Sequence, residues 1–237
     1  MSDVPALELI DVRAGYGRID VLHGVTLRIP RGKVMALLGA NGAGKSTTVQ
    51  VAGGRLVPKS GCVHVAGTHV NGAAPGEMAK AGVCTVPEGR GIFPNLTVDE
   101  NLWVSTHTTR AARAEVRERA FQYFPRLGQR RTQLAGTLSG GEQQMLAMSR
   151  ALVTEPQVLI LDEVSMGLAP LIVHELYENV ALLKEQGIAM LIVEQFAETA
   201  LGVADFAAIM AHGTIQQVGL ADEIAGELAS AYLGGVA

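Results

Sequence analysis

The sequence predicts an α/β protein: a mostly parallel sheet feeding a glycine-rich loop, an antiparallel β lobe on its N-terminal side, and a helical lobe inserted at about residues 88–150. Three observations carry that prediction. A glycine-rich string, Gly39-Ala40-Asn41-Gly42-Ala43-Gly44-Lys45-Ser46, follows a short apolar run. Two further apolar runs, at residues 158–161 and 188–193, flank an amphipathic helical segment. Between the first run and these two, residues 88–131 turn to charges interleaved with apolar positions at helical spacing, punctuated by Pro94 and Pro125. The 237 residues suffice for a real core, so residues 1–237 are expected to form one domain.

In chain order, residues 7–12 and 21–29 read as strands around the turn-rich Ala14-Gly15-Tyr16-Gly17. Residues 33–38 form a buried strand, residues 44–52 a helix, and residues 61–70 return to alternation. Helical spacing resumes at residues 113–124. Pro156 precedes the strand at 158–161, a helix over 171–185 closes at Gly187, and a strand at 188–193 leads into a helix at 197–204. Strands at 205–211 and 214–218 and a last helix at 221–232 complete the chain.

Composition excludes several classes. With 48% apolar and 18% charged residues, the chain buries enough surface to offset chain entropy, so it is not disordered. Nineteen basic against 23 acidic residues give a net charge of −4, which argues against a nucleic-acid partner. Cys62 and Cys84 are too few for a disulfide framework or metal cluster and are expected to be reduced, mostly buried thiols. The N-terminus carries Asp3 and Glu8 and no apolar signal region, and no apolar run approaches the ~20 residues that span a bilayer. A cytosolic chain that reaches a membrane only through a partner is expected. The six histidines, His23, His64, His69, His107, His174 and His212, show no metal-ligand spacing.

Residues 39–46 fit G-x-x-x-x-G-K-[ST], the P-loop. Its glycines leave backbone N–H groups free to cradle phosphate oxygens, Lys45 adds a fixed positive charge for the β- and γ-phosphates, and the Ser46 hydroxyl suits Mg²⁺. The following helix presents its positive end to the same phosphates. Val158-Leu159-Ile160-Leu161-Asp162-Glu163 supplies the complement: a buried strand with Asp162 at its carboxyl end to hold the Mg²⁺ shell, and Glu163 to polarise the attacking water. Leu138-Ser139-Gly140-Gly141-Glu142-Gln143-Gln144 fits a capping box from Ser139 to Glu142, and a well-capped helix start with free N–H groups is also a second anion site.

With that last string the chain resembles the ATP-binding-cassette (ABC) ATPases over nearly its whole length. The resemblance implies ATP hydrolysis with Mg²⁺ by two cassettes facing head to tail. Each ATP is then held between one P-loop, with Thr47 beside it, and the partner's Ser139, Gly140, Gly141, Glu142 and Gln143. ATP would hold the dimer and hydrolysis release it. The resemblance also puts Tyr16 where an aromatic ring stacks on adenine, and Glu88 where most cassettes carry a glutamine that senses Mg²⁺ and the membrane partner. Gln195 stands where most carry a histidine, and Ser165-Met166-Gly167-Leu168-Ala169-Pro170 matches a dimer-contacting loop. Gln195 donates an amide hydrogen bond but does not titrate near neutrality, so it is read as a γ-phosphate anchor with Glu163 as general base. Val164 replaces a usual proline and is expected to loosen the backbone after Glu163.

Val86-Pro87-Glu88-Gly89-Arg90, Gly136-Thr137, Gly167-Leu168-Ala169-Pro170, Val193-Glu194-Gln195 and Ala231-Tyr232-Leu233-Gly234 together are similar to one subfamily, the LivF-like ATPase of branched-chain amino acid importers. This resemblance implies uptake of leucine, isoleucine and valine at the cytoplasmic face of the plasma membrane. It implies as partners a second, LivG-like ATPase or a second copy of this chain, two membrane permease subunits and, indirectly, an extracytoplasmic binding protein. A related importer for urea, short amides or other amino acids is the alternative, and a soluble non-transport cassette is the rival class. That rival usually brings two cassettes in one chain or a long coiled coil, and neither is seen here. The basic residues 126–131 are expected to form a solvated face or to contact the membrane subunit, and Trp103 to pack within the helical lobe.

Overall fold

The computed structural model of the chain describes residues 4–89, 91–105, 110–195 and 197–234; Arg90 and His107 lie outside them. Strands β1 (Leu7–Tyr16), β2 (Ile19–Ile29), β4 (Ser60–Val65) and β5 (Thr68–His69) form an antiparallel sheet in the order β2-β1-β4-β5. The second sheet runs β10-β9-β3-β8-β7-β6, from β3 (Val34–Leu38), β6 (Val83–Val86), β7 (Val158–Asp162), β8 (Ala189–Glu194), β9 (Phe206–Ala211) and β10 (Thr214–Leu220). All its neighbours are parallel except β9 and β10. The helices are α1 (Lys45–Ala52), α2 (Pro75–Lys80), α3 (Val98–Ser105), α4 (Arg110–Tyr123), α5 (Pro125–Gly128), α6 (Gly140–Leu152), α7 (Pro170–Glu185), α8 (Ala197–Leu201) and α9 (Ala221–Gly234).

The parallel sheet is covered on both faces, as its near-continuous apolar strands require. Because side chains alternate along a strand, Val34, Ala36 and Leu38 of β3 join one core cluster while Met35 and Leu37 join the other. Ala36 and Leu38 share their cluster with Leu102, Phe121, Leu127 and Met145 of the α3–α6 helices and with Phe124 between α4 and α5. Leu37 shares its cluster with Val49 of α1 and with Leu9, Leu27 and Val63 of the antiparallel sheet. The P-loop helix thus packs in the core that joins the two sheets.

Several expectations need correction. The first turn is only Gly17-Arg18: pairing continues past a register shift at Ala14/Gly15 to Tyr16↔Ile19, so Tyr16 ends a strand. Strand β6 and helices α2 and α3 are additional elements. Helix α3 carries a signal the periodicity missed, since Thr97 and Glu100 form a capping box (Thr97 N–H to Glu100 Oε2 2.8 Å, Glu100 N–H to Thr97 Oγ1 3.2 Å). Its Asn101, fully buried, accepts from Phe93 N–H at 2.8 Å and donates to the Phe93, Leu96 and Thr97 carbonyls, fixing the loop that follows Glu88. Both cysteines are free thiols and only partly exposed, in line with the expected mostly buried thiols.

The arginine side chains of the basic stretch at 126–131 are exposed, as on a solvated face, and are also paired. Arg126 pairs with Glu175 at 3.3 Å, Arg130 with Glu142 at 2.8 Å, and Arg131 pairs with Glu118 while lying 4.2 Å over the Phe121 ring. Trp103 is partly exposed, with the Arg117 guanidinium 5.9 Å from its ring. Among the described residues no helix is long and apolar enough to cross a membrane.

Candidate functional site

Four strand ends place the candidate residues along one sheet edge. In register, Leu38 of β3 lies beside Glu194 of β8, Asp162 of β7 beside Val193, and Val86 of β6 beside Leu161. The P-loop therefore leaves this edge next to Glu194 and Gln195, with Asp162–Glu163 and then Glu88 following across the sheet. Carboxyl ends of parallel strands are where open α/β sheets bind ligands.

The P-loop is built by backbone geometry. Gly44, the N-cap of α1, has φ +110°, and a Cβ there would come 2.8 Å from the Met210 side chain, so only glycine fits. Lys45 is 4% exposed, and its Nζ donates to the carbonyls of Gly39 (2.8 Å) and Ala40 (3.4 Å) and lies 3.6 Å from Glu163 Oε1. Ala43 and Thr47 are buried, whereas Ala40, Asn41, Gly42 and Ser46 face solvent and Gly39 is half-buried. Tyr16 is half-exposed at the end of β1, its hydroxyl donating to Gln50 Oε1 at 3.2 Å. That bond ties the ring to α1.

Asp162 is buried, and its Oδ1 has no hydrogen-bond partner. Burial, then the nearby Glu163 and Glu88 carboxylates, push its pKa up to about 6 against the opposing pull of Lys45. An orphaned buried carboxylate oxygen next to two further carboxylates is the environment a hard cation satisfies. Among the described residues no three or more His, Cys, Asp or Glu side chains form a metal cage. The orphaned Asp162 oxygen thus fits an ion held chiefly by phosphate and water, as Mg²⁺ is.

The raised pKa has a consequence for stability. Between the ordinary carboxylate value and about 6 the folded state holds more protons than the unfolded, so Asp162 makes stability fall as pH rises through that window. Asp162→Asn is expected to be more stable than wild type by about 1–3 kcal/mol near neutral pH in metal-free buffer, the gap closing near pH 4. Urea midpoints at the two pH values measure this, and a gap independent of pH contradicts it.

Glu163 adopts φ +48°, a left-handed conformation uncommon outside glycine, and its N–H donates to Val193 C=O at 2.9 Å. Val164, which follows this turn, is 2% exposed and packs into the larger core cluster. Glu88, Gln143, Gln144, Glu163 and Met166 line one cleft of about 480 Å³. Tyr16, Asn41 and the exposed Gln195 are not among its lining residues.

Ser139 caps α6 as its sequence predicts. Its N–H and Oγ donate to Glu142 Oε2 at 2.9 and 2.8 Å, and Glu142 N–H returns to Ser139 Oγ at 3.4 Å. Burial pushes the Glu142 carboxyl up, but the Ser139 hydrogen bonds and the Arg130 charge outweigh it and hold it below the usual range. Ser139 itself is exposed and Gly140 half-buried, so the helix start is open to a ligand. Gly141 serves packing, because a Cβ there would meet Ile172 Cγ2 at 2.4 Å. Gln143 points back, its Nε2 donating to the carbonyls of Ala135 (3.3 Å) and Leu138 (3.2 Å). The Arg130–Glu142 pair was not visible in the sequence, since no helical or strand spacing relates those two positions.

The ABC transporter family model matches residues 22–166, more than half of the chain. The chain is 40% identical over 223 residues to the high-affinity branched-chain amino acid transport ATP-binding protein BraG of Pseudomonas aeruginosa, covering 93% of this chain and 96% of that protein. It is 34% identical to the probable branched-chain amino acid transport ATP-binding protein LivF of Archaeoglobus fulgidus, covering 92% and 93%. Among solved structures, the ADP conformation of an ATP-binding cassette of an ABC transporter superposes with a TM-score of 0.84 at 27% identity, covering 97% of this chain and 96% of that one.

Proposed function

The chain belongs to the ABC transporter family as an ATP-hydrolysing transporter subunit, and from that premise we propose that it energises import of branched-chain amino acids through an ATP-held, head-to-tail dimer of cassettes. The observation that carries the hydrolytic part is the meeting of Lys45 with the Asp162–Glu163 pair at one sheet edge, the Lys45 Nζ being 3.6 Å from Glu163 Oε1. The identities to two proteins named for branched-chain amino acid transport support the cargo.

In this reading the Tyr16 ring stacks on adenine. The backbone N–H groups of residues 39–47 cradle the phosphates, and Lys45 neutralises the β- and γ-oxygens. Ser46, Asp162 and Glu88 would hold a Mg²⁺ ion, which when bound would supply positive charge to the same phosphates. A water attacks the γ-phosphorus and the bond to the ADP oxygen breaks, while Glu163 takes the water's proton and Gln195 donates a hydrogen bond to the γ-phosphate. The exposed, Ser139-capped start of α6 presents its N–H groups to the γ-phosphate bound by the facing cassette. That partner is a LivG-like ATPase or a second copy. Two permease subunits carry the pair at the cytoplasmic face of the plasma membrane and receive cargo from an extracytoplasmic binding protein, and residues 88–150 act as the helical lobe of this single domain.

Gly140→Asp tests the shared site. It sets a carboxylate against phosphate, and phosphate release by the full chain with Mg²⁺ and ATP is expected to fall by about tenfold or more. ATP bound by the chain's own P-loop should be unaffected. Wild-type turnover in this variant would remove α6 from the reaction.

A further inference from the structure

The proposed reaction leaves Glu194 without a part. It ends β8, directly before Gln195, in a strand otherwise apolar (Ala189-Met190-Leu191-Ile192-Val193), and it is 2% exposed. A buried carboxylate costs free energy unless hydrogen bonds offset it. One oxygen, Oε1, accepts two: from the Tyr177 hydroxyl of α7 at 3.0 Å and from the backbone N–H of Ser165 at 3.1 Å. Ser165 lies two residues beyond Glu163, in the loop that keeps Glu163 at φ +48°. That loop is held from β8 at a second point, by the Glu163 N–H bond to Val193 C=O at 2.9 Å.

We propose that Glu194 is a positioning residue for hydrolysis: its Oε1 fastens the loop bearing Glu163 to the strand end bearing Gln195 and to α7, so that the general base and the γ-phosphate anchor hold one fixed relation. The inference rests on the ATPase reading above. A left-handed non-glycine residue persists only when its surroundings over-determine it, and the Ser165 and Val193 bonds do so here. Misplacement of a reacting group by about an ångström costs up to roughly a hundredfold in rate. Neither of these two side-chain bonds of Glu194 reaches the P-loop, so the effect belongs to turnover and not to ATP affinity.

The test measures kcat and KM for ATP, with ATP binding by calorimetry, on full-length wild type, Glu194→Ala, Glu194→Gln and Tyr177→Phe. Glu194→Ala is expected to lower kcat by about 10- to 100-fold with KM and affinity within about threefold of wild type. Glu194→Gln keeps an oxygen acceptor and is expected to return kcat to within about threefold. Tyr177→Phe, which spares the Ser165 bond, falls between. An unchanged kcat in Glu194→Ala overturns the proposal, as do equal losses of kcat and affinity, or a Gln variant as slow as Ala. Should Glu194→Ala fail to fold, Tyr177→Phe decides: a severalfold lower kcat at unchanged KM supports the role, and an unchanged kcat overturns it. A wild-type chain that hydrolyses no ATP overturns the ATPase reading itself and this inference with it.

Discussion

Glu163→Gln is expected to lower ATP turnover by about 10²–10⁴-fold while leaving ATP bound, because it removes the proton acceptor and keeps the shape. Glutamine preserves the Glu163 N–H bond to Val193 C=O, so the loop keeps its place. It also removes the negative charge 3.6 Å from Lys45 and one of the charges that raise the Asp162 pKa. Asp162 then ionises more readily, which favours cation binding. The predicted phenotype is a stalled complex: ATP-dependent association by light scattering, with little phosphate released. Turnover within about threefold of wild type would mean that another group accepts the proton.

Lys45→Ala is expected to cut both ATP affinity and turnover, the latter by about 10²–10³-fold, since a preorganised charge aimed at phosphate is lost from a buried position. Lys45 is 4% exposed and already oriented by the Gly39 and Ala40 carbonyls, so wild type spends no reorganisation to aim it. Its removal also takes the positive charge away from Asp162 and Glu163 and drives the Asp162 pKa higher still. The contrast between the two variants is diagnostic. Glu163→Gln should separate binding from turnover in calorimetry and phosphate release, whereas Lys45→Ala should lose both.

The two substitutions sit in strings that are legible because their chemistry is local. The P-loop, the apolar run ending at Asp162 and the Ser139–Glu142 cap each fit within eight residues and need only their own backbone to take shape. The strand–helix alternation was equally readable, because apolar runs such as residues 188–193 lie in the middle of a sheet buried on both faces. What escaped depends on distance along the chain. Glu194 meets Ser165 across 29 residues, and Arg150 reaches Ser105 across 45. No periodicity encodes either contact. The end of β1 escaped because glycine-rich sequence suggests a turn, while cross-strand pairing to β2 carries the strand through to Tyr16. The burial of Val164 in the core likewise depends on residues distant in the chain. Helix α3 is different, since its Thr97–Glu100 cap obeys the same rule as Ser139–Glu142 and was there to be found.

Isotope-labelled leucine uptake in source cells lacking the gene decides whether this ATPase powers branched-chain amino acid import. Restoration by the wild-type chain and not by Glu163→Gln is the predicted result, tying uptake to this chain and to its general base together. Uptake that stays independent of the gene after the cells' other leucine systems are deleted would contradict the assignment of cargo.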